Sequence, residues 1–125
     1  MCFVITYLDD DAIIESTLLK DFNWQVMEKM VPAISKVINE KNCHHILLDW
    51  RKAKIALSTT QIYDTPNKLK EEFEKYGVNI FKLKRAYLID RVDSDSYFFE
   101  TMMKNNSQTF SIFLNRDEAV KWLKS

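Results

Sequence analysis

His45–Asp64 reads HILLDWRKAKIALSTTQIYD, and this stretch decides the fold. Ile46, Leu47 and Leu48 are consecutively apolar, the pattern of a strand covered on both faces rather than one. Asp49–Lys54 is a charged turn, and Ile55–Leu57 is a short apolar run. Ser58, Thr59 and Thr60 supply the hydroxyls that open a helix. A buried strand, a polar turn and a helix make the repeating unit of a parallel α/β sheet.

The same unit recurs on both sides. After the pivot, Ile62, Pro66, Leu69, Phe73 and Tyr76 fall at helical spacing and end at Gly77, the single glycine of the chain. Pro66 interrupts this helix, with Thr65 as a cap for a second segment starting there. Ala86–Ile89 is a third apolar strand. Asp93 or Ser94 caps a helix carrying Phe98, Phe99, Met102 and Met103, Thr109–Leu114 is a last strand, and Asn115–Glu118 opens a C-terminal helix with Ala119, Trp122 and Leu123 inward. Before the pivot, Trp24, Met27, Val31, Ile34 and Ile38 mark an amphipathic helix capped by Asp21 or Asn23. Pro32 either kinks it or divides it in two. Cys2–Leu8 and Ala12–Leu18 read as strands joined through Asp9–Asp11 by a loop of three or four residues, since a two-residue hairpin turn wants glycine. The order is ββαβαβαβα, so the expected architecture is one α/β domain over residues 1–125. Its sheet is mostly parallel with an antiparallel N-terminal hairpin strand.

Composition excludes several classes. Eighteen Lys plus Arg balance eighteen Asp plus Glu, so no net field draws nucleic acid or an anionic membrane. No apolar run approaches the roughly 20 residues of a membrane span. The start, MCFVITYLDDD, has no basic segment of a secretory leader, and the two lone cysteines, Cys2 and Cys43, suit a reducing cytoplasm. A lone glycine leaves no glycine-rich phosphate loop.

Candidate sites follow from position. Asp49, Trp50 and Arg51 sit at the carboxyl end of a central strand, where α/β domains gather functional groups. The plainer role of Asp49 is to cap the turn and pair with Arg51 or Lys52. Asn42-Cys43-His44-His45 holds three ligand types in a row, but neighbours on a strand point to opposite faces and no second cluster completes a site, so no metal and no cofactor are expected. No His is tied to a nucleophile, and catalysis is not expected. Phe98, Phe99 and Met102 widen one helix face beyond what a core needs, which makes them candidates for lining a pocket or an interface.

The words ILLDWRKAKIALSTTQIYDTP, YFFETMMKNN and FLNRDEAVKWL resemble the bacterial SpoIIAA-like proteins of the STAS class over roughly residues 46–123. Phe113–Leu123, with Glu118, Ala119 and Trp122, carries the most specific part. The resemblance implies a STAS-like βα superhelix, in agreement with the order above. Relatives include anti-sigma-factor antagonists, domains of anion transporters and proteins suspected of binding apolar ligands. In the antagonists, a Ser after an Asp at a helix start is phosphorylated, and Ser58 or Thr59 is the matching place. Leu57 stands where that Asp would be and no glycine follows the hydroxyl pair, so a plain N-cap is the favoured account of the hydroxyl. The sequence thus leads to a non-catalytic regulatory domain that docks a protein partner through Asp49, Trp50, Arg51, Ser58, Thr59 and Tyr63. The alternative is a carrier or sensor of a small apolar or anionic ligand, and self-association is left open.

Overall fold

The computed structural model describes residues 2–125. In chain order the elements are β1 (Phe3–Leu8), β2 (Ile13–Leu18), α1 (Trp24–Lys41), β3 (His45–Asp49), α2 (Thr59–Glu74), β4 (Lys84–Leu88), α3 (Ser94–Asn105), β5 (Thr109–Phe113) and α4 (Arg116–Leu123). A short 3-10 turn, Ile80–Lys82, precedes β4. The strands lie side by side as β1-β2-β3-β4-β5. β1 and β2 are antiparallel, and every later neighbour pair is parallel. This is the α/β order read from the sequence.

Leu8 pairs with Ile13, which leaves the four residues Asp9–Ala12 for the hairpin loop. Without a glycine there, Ala12 takes the left-handed conformation at φ +54°, which strains a residue bearing a Cβ. Asn23, not Asp21, caps α1, its side chain accepting from Val26 N at 2.8 Å. The helix ends at Asn42, in the left-handed region.

Both prolines lie inside unbroken helices, so neither divides its helix. Pro32 removes the bond to the carbonyl of Glu28, an exposed residue on the solvent side of α1. Thr65 does not cap a second segment before Pro66. Its hydroxyl donates back to the Gln61 carbonyl at 2.6 Å and accepts from Trp24 Nε1 at 3.2 Å.

The pleat divides the core between two faces. Ile14, Ile46, Leu48, Tyr87 and Phe110 face α1, α2 and α3. Ile13, Leu47, Ala86 and Leu88 face Ala119 and Leu123 of α4. Cover on both sides is why Ile46, Leu47 and Leu48 are all apolar. Trp122 sits at the edge of that second layer, its ring 5.3 Å from Phe113. No helix among the described residues is long and apolar enough to cross a membrane.

Candidate functional site

Parallel strands all deliver their carboxyl ends to one rim, and the loops that leave β3 and β4 there enclose a cleft of about 330 Å³. One wall is Arg51–Ile55 and the other runs from Ile89 through Arg91 to Asp93 and Ser96 at the start of α3. The first wall is fixed by its neighbours. Phe22 N donates to the Lys54 carbonyl at 2.8 Å, and Ala56 N donates to the Phe22 carbonyl at 2.8 Å. Lys54 N donates to Asp21 Oδ1 at 3.0 Å. The second wall is fixed by a capping box, in which Asp93 Oδ1 accepts from Ser96 N at 2.8 Å and Ser96 Oγ accepts from Asp93 N at 2.9 Å.

The floor includes Tyr87, which is 2% exposed. Burial, with the nearby charges of Asp93 and Asp95, pushes its phenol well above the usual value, so the hydroxyl is a neutral donor at physiological pH. Four cations, Arg51, Lys52, Lys54 and Arg91, stand around the cleft against the carboxylates of Asp90 and Asp93. The Asp93 carboxyl is held low by hydrogen bonds from Ser96 and is occupied as a cap. The balance at the mouth favours an anion.

Of the residues singled out in the sequence, Arg51 lines this cleft. Asp49 pairs with it bidentately, Arg51 Nε to Oδ1 and Nη2 to Oδ2, both at 2.9 Å. Burial raises the Asp49 carboxyl, but the hydrogen bonds and charge of Arg51 outweigh it and leave the group below its usual value. The plainer role weighed for Asp49 is the one it occupies. Ser58 caps α2 in a full capping box with Gln61, at 3.1 and 3.0 Å. Thr59 is exposed and Tyr63 is 63% exposed. None of these three lines the cleft.

Trp50 requires correction as a docking residue, because it is 3% exposed and no partner reaches it. Its ring stacks on Phe22 at 4.5 Å and meets Tyr87 edge-on at 5.1 Å. The cause is the strand period. Ile46 and Leu48 face the helices, and Trp50 is the next residue in that series. Phe98 packs half-buried against the core, and Phe99 and Met102 are buried in it. Phe99 lines a small cavity inside the core. His44 and His45 are half-buried, and no group of three or more His, Cys, Asp or Glu among the described residues is placed to hold a metal.

Among the polar core residues that escape the sequence reading are Arg85 and Gln108, both 3% exposed. Reading the third strand from Ala86 omits Arg85. Stepping back by two from Tyr87 finds it on the helix side of β4.

Comparisons with protein-family models, with curated proteins and with solved structures each find no match to this chain.

Proposed function

We propose that this chain is a non-catalytic binding domain, a sensor or carrier that takes a small organic anion into the cleft at the carboxyl ends of β3 and β4. The observation that carries the reading is the cleft itself. It falls within the size range of small-molecule sites, about 300–1,000 Å³, and its floor includes the Tyr87 side chain with Arg51, Lys52, Lys54 and Arg91 around it. An anionic head accepts from the Tyr87 hydroxyl and draws on Lys52, Lys54 and Arg91. The ligand's apolar part lies against Ile55 and Ile89. A STAS-like kinship and a cytoplasmic setting belong to the same proposal.

Docking of a protein partner has less behind it, because its intended aromatic anchor, Trp50, is inside the core. Ser58, Thr59 and Tyr63 keep an exposed patch on the first turns of α2, but nothing on that patch indicates what would cover it.

The test is titration of isotope-labelled protein with inorganic phosphate and with a panel of small carboxylates, followed through amide resonances. Shifts confined to Arg51–Ile55 and Ile89–Ser96 are expected. Tyr87→Phe should weaken binding by about tenfold, the loss of one hydrogen bond to a charged group. Shifts scattered over every surface lysine, or an unchanged affinity in Tyr87→Phe, refute the reading.

A further inference from the structure

A second site lies inside the core, apart from the cleft. Beneath α1 and α2, Met27, Met30, Phe73 and Phe99 enclose a cavity together with Trp50 and Arg85. Its volume is about 30 Å³, room for one or two water-sized particles. The walls are almost wholly apolar, yet two residues of the lining, Arg85 and Trp50, each carry a side-chain nitrogen that is unmet. Arg85 Nε and Trp50 Nε1 are both buried and have no hydrogen-bond partner among the described residues. Both are donors.

The charge of Arg85 is equally unmet. Its Nη2 donates to Gln108 Oε1 and lies 4.0 Å from Met103 Sδ, and its guanidinium lies 5.1 Å from the centre of the Phe110 ring. All three partners are neutral. Gln108 is held in turn, its Nε2 donating to the Pro66 carbonyl at 3.0 Å. Burial pushes the guanidinium down to about 9, with no charged neighbour to offset the desolvation, so it remains a cation at neutral pH. Buried cations are almost always paired, and an unpaired one is strongly unfavourable.

We propose that this cavity is a site for one small monovalent anion of halide size, chloride foremost, held by the Arg85 guanidinium and the Trp50 indole N–H. The two open donors call for an acceptor, and the lone charge calls for a negative one. The volume excludes a phosphate ester or a long-chain acid without repacking. A bound halide therefore acts as the missing counter-ion of the core and ties folding to chloride concentration.

The experiment is thermal unfolding in sodium chloride, sodium bromide and sodium gluconate at equal ionic strength, with sodium formate and sodium butyrate as size probes. Chloride and bromide at about 100 mM should raise Tm by at least about 5 °C over gluconate, and butyrate should behave as gluconate does. In Arg85→Met the halide effect should vanish. In Trp50→Phe, which retains the ring stack, it should weaken. Chloride-35 NMR of the unmodified protein supplies a readout independent of any variant, with line broadening that bromide reverses. Equal Tm values in chloride and gluconate mean the cavity holds water only and overturn the proposal. So does a halide effect that survives in Arg85→Met, or an absence of broadening.

Discussion

Replacing Trp50 by alanine separates a core residue from a surface anchor by a wide margin. The indole is 3% exposed and touches Phe22, Tyr87 and Phe99 with ring centres 4.5, 5.1 and 5.9 Å away. Truncation to Ala withdraws about 150 Å² of buried apolar surface, which at about 25 cal/mol per Å² is a loss of about 4 kcal/mol. That agrees with the 3–5 kcal/mol typical of buried Trp→Ala changes. At about 2.1 cal/mol/K per residue, a chain of 125 residues unfolds with an entropy near 0.26 kcal/mol/K, so Tm should fall by about 15 °C. Urea unfolding of wild type, Trp50→Ala and Trp50→Phe is the assay, with unchanged slopes as the sign that only stability moved. Trp50→Phe keeps the stack on Phe22 and should lose less than about 1.5 kcal/mol. A loss under about 0.5 kcal/mol in Trp50→Ala, as an exposed side chain gives, would refute the reasoning.

Two further outcomes test the rim. Ser58→Ala removes the cap of α2 and should destabilise by about 1 kcal/mol in urea unfolding, whereas Ser58→Asp should keep most of that stability. For the Asp49–Arg51 pair, the depressed carboxyl contributes stability that is fully present above its ordinary value near 4 and is lost as pH falls through the lower folded value. Arg51 is 45% exposed in its side chain, so the contribution is under about 1 kcal/mol. Arg51→Ala should move the Asp49 carboxyl titration upward in carbon-detected NMR and flatten the acid limb of the stability curve.

Strand-and-helix order was legible because every element carries its own period. The continuous triplet Ile46–Leu48 announces a strand with two covered faces. The i, i+3, i+7 series from Trp24 runs the length of α1, which buries seven residues from Val26 to Ile38. The prolines were harder. Proline reads locally as a break, and only the surroundings decide whether the helix continues. Solvent beside Glu28 and the back-bond from Thr65 to Gln61 are such surroundings. The site was half legible. Position at a strand end drew attention to Arg51, which lines the cleft, while charge and aromaticity suggested surface for Trp50, which is core. Stepping by two along β3 and β4 places both Trp50 and Arg85 inside, so the missed signal was periodicity overruled by residue type.

That period also bears on how the two proposed binding regions relate. Arg85, Tyr87 and Ile89 follow one another by two along β4 and its exit, about 7 Å apart at each step. The first lines the core cavity, and the other two line the cleft. Between the regions stands a continuous aromatic layer. Trp50 meets Tyr87, Tyr87 meets Phe110 at 5.3 Å, and Phe110 lies against the Arg85 guanidinium. Trp50 belongs to the cavity wall and Tyr87 to the cleft floor, so the edge contact between them is the partition. An anion bound at the Tyr87 hydroxyl, as proposed, would press on a ring that also packs against Trp50 and Phe110. Packed rings do not shift by small degrees independently of one another. If both proposals hold, the Trp50–Tyr87 contact is the place where occupancy of one region reaches the other.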